Sequence, residues 1–131
     1  DKGFFLKPTI LISKTNAALV FQEEIFGPVV VVQKFKTVDE VIELANDSVY
    51  GLGGGVFTGS LNTAMKVSRG VQTGRVWFNT YNAIPAGAPF GGYKESGIGR
   101  ETHKVMLEHY SQTKNIMINL KEGTTGLYDV K

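Results

Sequence analysis

Four consecutive valines, Val29 to Val32, continue into Gln33-Lys34-Phe35. A β-branched run without polar alternation suits a strand covered on both faces, the situation of a parallel sheet flanked by helices. The segment that follows supplies a helix. Thr37-Val38-Asp39-Glu40 is a capping-box pattern, apolar Val38, Val41, Ile42 and Ala45 recur at helical spacing, and Asp39, Glu40 and Glu43 lie toward the positive end of the dipole. This helix is expected to end near Asn46 to Ser48. Gly51 to Gly55 then reads as a permissive loop into a short strand, Val56-Phe57-Thr58. Ser60 reads as the N-cap of a second helix that buries Ala64, Met65, Val67, Ser68 and Val71 and closes at Gly70 to Gly74. Arg75-Val76-Trp77-Phe78-Asn79 is a further strand. Strand, helix, strand, helix, strand at this spacing predicts an α/β fold of parallel βαβ units with right-handed crossovers.

Both ends of this pattern are less regular. Phe4 to Ile12 is apolar and β-branched around Pro8, which suits an edge strand or an irregular extended run. From Thr80 to Arg100 the chain is rich in Gly, Pro and Ala, too long for an ordinary connection and therefore expected to be functional. A helix is expected around Glu101 to Tyr110. In the final strand, Thr113 to Leu120, Ile116, Ile118 and Leu120 alternate with Asn115, Met117 and Asn119, so one side is exposed or paired with another chain.

Composition excludes several function classes. In 131 residues there are 14 Lys+Arg and 12 Asp+Glu, scattered rather than massed, so a nucleic-acid partner is not expected. There is no apolar stretch of the ~20 residues a membrane span requires, and the N-terminus has no signal-peptide pattern. A soluble, cytoplasmic protein is expected. The absence of cysteine removes disulfides, thiolate metal sites and a thiol nucleophile within these residues. The start at Asp1 rather than Met, within what reads as a strand, leads us to expect part of a longer chain.

Familiar catalytic patterns fail on spacing. Gly51-Leu52-Gly53-Gly54-Gly55-Val56 lacks the last glycine of a dinucleotide fingerprint and runs from helix to strand, the reverse of the required order. Gly54 to Gly59 is followed by Ser60 where a phosphate loop needs lysine. His103 and His109 would face opposite sides of a helix, so no metal is expected. Ser96 lacks the first glycine of a nucleophile elbow, because Lys94 stands there. Two segments remain. In Glu23-Glu24-Ile25-Phe26-Gly27-Pro28 a carboxylate could accept hydrogen bonds from a diol and a ring could pack on a heteroaromatic face, or both could be solvated charge beside a core phenylalanine. In Pro89-Phe90-Gly91-Gly92-Tyr93-Lys94-Glu95-Ser96-Gly97-Ile98-Gly99-Arg100-Glu101 the backbone must bend repeatedly around two aromatic rings.

QEEIFGPVV, SVYGLGGGVFT, GRVWFNTYN and APFGGYKESGIGRE, in this order, resemble the NAD(P)-dependent aldehyde dehydrogenase superfamily across nearly the whole chain. GIGRETHKVMLEHYSQTKNI is most similar to bacterial enzymes that oxidise acetaldehyde and other short aliphatic aldehydes. The resemblance implies the C-terminal part of the catalytic domain over residues 1–111 and an oligomerisation strand with a tail over 112–131. It implies oxidation of an aldehyde to a carboxylic acid with NAD or NADP, through a cysteine thiohemiacetal and thioester. The nucleophile and the general base would lie outside these residues, so the 131 residues alone are expected to be inactive. Glu24 would bind the nicotinamide ribose hydroxyls, with Phe26 near the ring. Ile84 and Phe90 would line the aldehyde tunnel, where apolar walls suit an uncharged substrate. Glu101 would relay protons toward the general base, a role for a partly buried carboxylate, or would be a carboxylate stabilised by a helix dipole. Residues 113–120 would join a neighbouring subunit in a homo-oligomer. The competing expectation is an assembly or scaffold fragment that self-associates through 113–120 without cofactor affinity.

Overall fold

A computed structural model describes residues 2–123. The element order is β1 (Thr9–Ile12), α1 (Leu19–Gln22), β2 (Val29–Val32), α2 (Val38–Asn46), β3 (Gly53–Val56), α3 (Leu61–Gly70), β4 (Arg75–Phe78), a 3-10 turn (Lys94–Ser96) and α4 (Val105–His109). The α/β class holds, and both strand pairs are parallel. They form two separate two-stranded sheets, β1 with β2 and β3 with β4. Thr9 to Ile12 match Val29 to Val32, and Gly53 to Val56 match Arg75 to Phe78. Each pair is joined through a helix, α1 or α3, whereas α2 leads from one sheet to the other.

The two main helices begin where the sequence predicts. Thr37 accepts from the Glu40 amide at 3.1 Å, and the Glu40 carboxylate accepts from the Thr37 amide at 3.4 Å, completing the capping box. Ser60 accepts from the Thr63 amide at 3.3 Å at the start of α3. α2 and α3 pack together, and Lys66 meets Asp39 across them at 2.6 Å.

Elsewhere the structure corrects the sequence reading. Residues 2–8 lie outside any strand, and regular structure begins only at Thr9. β2 stops at Val32 and alternates half-buried and exposed residues, so it is not covered on both faces within the described residues. Gly53 to Gly55 form the body of β3 instead of a loop before it, and Phe57 and Thr58 follow the strand. Glycine can occupy this strand because the Trp77 ring of β4 lies where a Gly53 side chain would stand, with 2.8 Å between a Gly53 Cβ and the ring. α4 begins at Val105, four residues after the expected start, because Thr102 and His103 take left-handed φ of 59° and 54°. Residues 113–120 are exposed and form no strand, since no neighbouring strand supplies ladder partners among the described residues. Of the expected tail, 124–131 lie outside the described residues.

Burial is slight. Among the described residues Ala64 of α3 is the one fully buried apolar side chain, at 2% exposure. The chain presents 11390 Å² of surface, whereas a self-contained protein of 14.3 kDa presents about 6,800 Å². Phe4, Phe5, Ile10, Ile12, Val30 and Val32 contribute to the uncovered apolar area on and beside the first sheet.

Candidate functional site

The irregular chain after β4 is tied back onto the second sheet by specific polar contacts. Arg75, at the start of β4, donates to the Ala88 and Pro89 carbonyls at 3.0 Å each, and its guanidinium lies 4.9 Å from the centre of the Phe90 ring. Trp77 Nε1 donates to the Ala83 carbonyl at 2.8 Å, while its ring lies 5.2 Å from that of Tyr81. The Gly51 carbonyl accepts from both Gly74 and Tyr93 amides, at 3.1 and 2.8 Å. A side chain on Gly74 would collide with the Gly91 carbonyl, so only glycine permits the loop to lie this close.

Phe90 and Glu101 form an isolated antiparallel bridge, with Phe90 N donating to Glu101 O at 2.9 Å and Glu101 N to Phe90 O at 2.6 Å. The bridge holds an aromatic ring and a carboxylate at one open cleft of about 760 Å³, whose lining includes Leu52, Ser96, Arg100 and His109. A second cleft, about 390 Å³, is lined by Glu24, Tyr50, Leu52, Glu95 and Ser96. Leu52 and Ser96 therefore stand on the wall common to both. Arg100 closes the outer loop by donating to the Gly92 and Gly99 carbonyls at 2.8 Å each, with its guanidinium 5.4 Å from the Tyr93 ring centre.

Of the sequence-predicted residues, Glu24, Phe90 and Glu101 come to these adjoining clefts. Phe26 does not line either one; its ring is 90% exposed and its φ is 58°. Ile84 is also exposed and outside both linings, next to the Ala83 carbonyl that anchors Trp77 and accepts from Arg75. Glu101 is exposed and sits in the bridge, which corrects two expectations: it is neither partly buried nor at a helix start. The helix-dipole alternative for this carboxylate fails because α4 begins beyond it. His103 lies before α4, and His109 Nε2 accepts from the Arg100 amide at 3.3 Å. Among the described residues no group of three or more His, Cys, Asp or Glu is arranged to hold a metal.

Sequence reasoning missed Ser96 of the wall and Asn46, which joins the helices behind it. Asn46 donates to the Gly70 carbonyl at 2.8 Å and accepts from the Gln72 amide at 2.7 Å, joining the ends of α2 and α3. Ser96 Oγ accepts from the Gly51 amide at 2.9 Å. Arg75 carried a signal, a cation opening an otherwise apolar strand. Asn46 and Ser96 carried none, because their partners lie 24 and 45 residues away.

Comparison with known proteins places these features in a family. The pattern described as "Aldehyde dehydrogenase family" matches residues 1–116. Aldehyde dehydrogenase B of Escherichia coli strain K12 is 58% identical over 126 residues, 96% of this chain and 24% of that protein. A betaine aldehyde dehydrogenase of Staphylococcus aureus superposes with TM-score 0.89 at 42% identity, over 95% of this chain and 25% of that one. An aldehyde dehydrogenase of Bacillus cereus, solved as its NAD+ complex, superposes with TM-score 0.85 at 48% identity, over 92% and 25%. The chain thus spans about a quarter of the length of these relatives. With the family pattern over residues 1–116 and 58% identity to one member, the chain belongs to the aldehyde dehydrogenase family.

Proposed function

We propose that these residues are the C-terminal part of the catalytic domain, over 1–111, of a longer cytoplasmic enzyme that oxidises an aldehyde to a carboxylic acid with NAD or NADP. The observation that carries this reading is the common wall of Leu52 and Ser96, which sets the Glu24 cleft beside the Phe90 and Glu101 cleft. Of the expected cofactor residues, Glu24 suits the ribose of a nicotinamide riboside, while Phe26 stands outside the Glu24 cleft in these residues. The Glu24 carboxylate is exposed at an open cleft and can accept from a ribose diol, and the exposed Phe26 ring offers an apolar face. When bound, the nicotinamide supplies the hydride acceptor. Phe90, backed by Arg75, offers an apolar wall that favours an uncharged aldehyde and thins out water, and Ile84, outside both clefts in these residues, would join it in the full-length enzyme. Glu101, held by its backbone bridge with the carboxylate exposed, can take up a proton and pass it on.

The chain contains no cysteine, so the thiol that forms the thiohemiacetal and thioester would come from residues outside these 131, and the 131 residues alone would be inactive. Support for a longer enzyme comes from the surplus of uncovered surface and from the quarter-length match to the relatives. Residues 113–120 would pair with a neighbouring subunit, which accords with the exposure of Ile116, Ile118 and Leu120. The test is Glu24→Ala in the full-length enzyme, followed by NADH formation from NAD+ and acetaldehyde. Loss of ribose contacts should misplace the hydride acceptor and lower kcat on the order of 10²-fold. An unchanged rate of hydride transfer would remove Glu24 from this role. A polypeptide that self-associates without binding NAD+ would favour the scaffold alternative.

A further inference from the structure

The wall between the two clefts rests on a lysine. Lys94 opens the 3-10 turn at φ 52°, in the left-handed region that suits glycine and strains an L side chain. Glycine is abundant in the same loop, at Gly91, Gly92, Gly97 and Gly99, yet the strained position holds lysine. Its side chain explains the choice. Nζ donates to the Asn46 carbonyl at 2.8 Å and the Ser48 carbonyl at 2.7 Å. These carbonyls belong to the end of α2 and the turn after it, a helix with no basic residue in its last turn. Helix C-terminal carbonyls lack intrahelical donors, and a cation there also meets the negative end of the dipole. The Asn46 side chain is occupied elsewhere, with Gly70 and Gln72, and does not compete for this place.

The turn is fastened at three further points. Tyr93 N donates to Gly51 O at 2.8 Å, Glu95 N to Val49 O at 3.0 Å, and Gly51 N to Ser96 Oγ at 2.9 Å. Lys94 supplies the charged bonds of this set. We propose that Lys94 is a positioning residue: its ammonium, bonded to the end of α2, fixes the turn 94–96 and so sets Ser96 on the wall shared by the cofactor and aldehyde clefts. This rests on the functional reading above, which assigns Glu24 and Phe90 to those clefts.

Lys94→Met and Lys94→Arg in the full-length enzyme test it, with Glu24→Ala measured alongside. Removing a pair of charge-assisted bonds should raise KM for NAD+ and for acetaldehyde about tenfold, with the melting temperature near that of the parent, and Lys94→Arg should recover most of the loss. Hydrogen exchange on the enzyme without NAD+ gives a reading independent of activity: amides of 49–51 and 93–96 should exchange faster in Lys94→Met. Unchanged exchange there, or unchanged Michaelis constants while Glu24→Ala still impairs turnover, would overturn the positioning role alone. Loss of activity that tracks loss of melting temperature and is not rescued by arginine would also overturn it. If Glu24→Ala has no effect, the cofactor assignment fails, and the exchange measurement still decides whether Lys94 holds the turn.

Discussion

Arg75 does the work of several residues. It bonds two loop carbonyls and lies against the Phe90 ring, so a single side chain connects β4 to the proposed aldehyde wall. Arg75→Met should free that wall while leaving the Glu24 cleft intact. The expected result is a rise in KM for acetaldehyde with KM for NAD+ unchanged, read from steady-state kinetics of the full-length enzyme. Gly74 makes a complementary test. Because a Cβ there meets the Gly91 backbone, Gly74→Ala must push the loop away, at a cost of about 1–3 kcal/mol. Chemical denaturation that finds the alanine variant as stable as the parent would contradict the close approach. Glu24 and Phe90 stand out in the sequence because a carboxylate and a ring carry distinct chemistry and fall in segments that resemble family motifs, and their roles are proposals, whereas Ser96 and Asn46 gain meaning only from backbone groups brought to them by folding.

At the scale of elements, local signals and tertiary signals separate. α2 and α3 start at Thr37 and Ser60 as predicted, because a cap is made between residues three apart and needs no distant partner. Thr37→Ala should cost about 1 kcal/mol, accelerating amide exchange at the start of α2 roughly fivefold; unchanged exchange would show that Glu40 alone suffices. Strands fared less well. Val29 to Val32 do form β2, but their burial depends on what lies across the sheet, and within these residues one side is open. Gly53 to Gly55 read as a loop in the sequence because glycine has low strand propensity, yet pairing with Arg75 to Trp77 holds them extended, with the Trp77 ring against Gly53. The late start of α4 has a similar origin, since pairing of Phe90 with Glu101 draws the chain out of helical geometry before Val105.

For the whole molecule, the decisive quantity is surface. An exposed area about two-thirds larger than a self-contained chain of this mass would have calls for cover from other protein. The 131 residues prepared alone should therefore bind a hydrophobic dye and associate, as light scattering and gel filtration would report. A monomer with a sharp unfolding transition would contradict this. The intact mass of the source polypeptide is the companion measurement: a value near 14.3 kDa would favour the assembly reading, and one several times larger the enzyme.

What the sequence by itself determined is local or chemical in kind. The alternation of strands and helices, the two capped helix starts, the family motifs and the lack of a thiol are properties of neighbouring residues or of composition. What only the tertiary structure decided is which distant groups meet: two separate strand pairs, the Phe90 bridge to Glu101, and the fastening of the 94–96 turn to residues 46–51. The reason is physical. Caps and periodicity arise from interactions within a few residues, while loop carbonyls and amides carry no sequence label and acquire partners only when the fold brings them together.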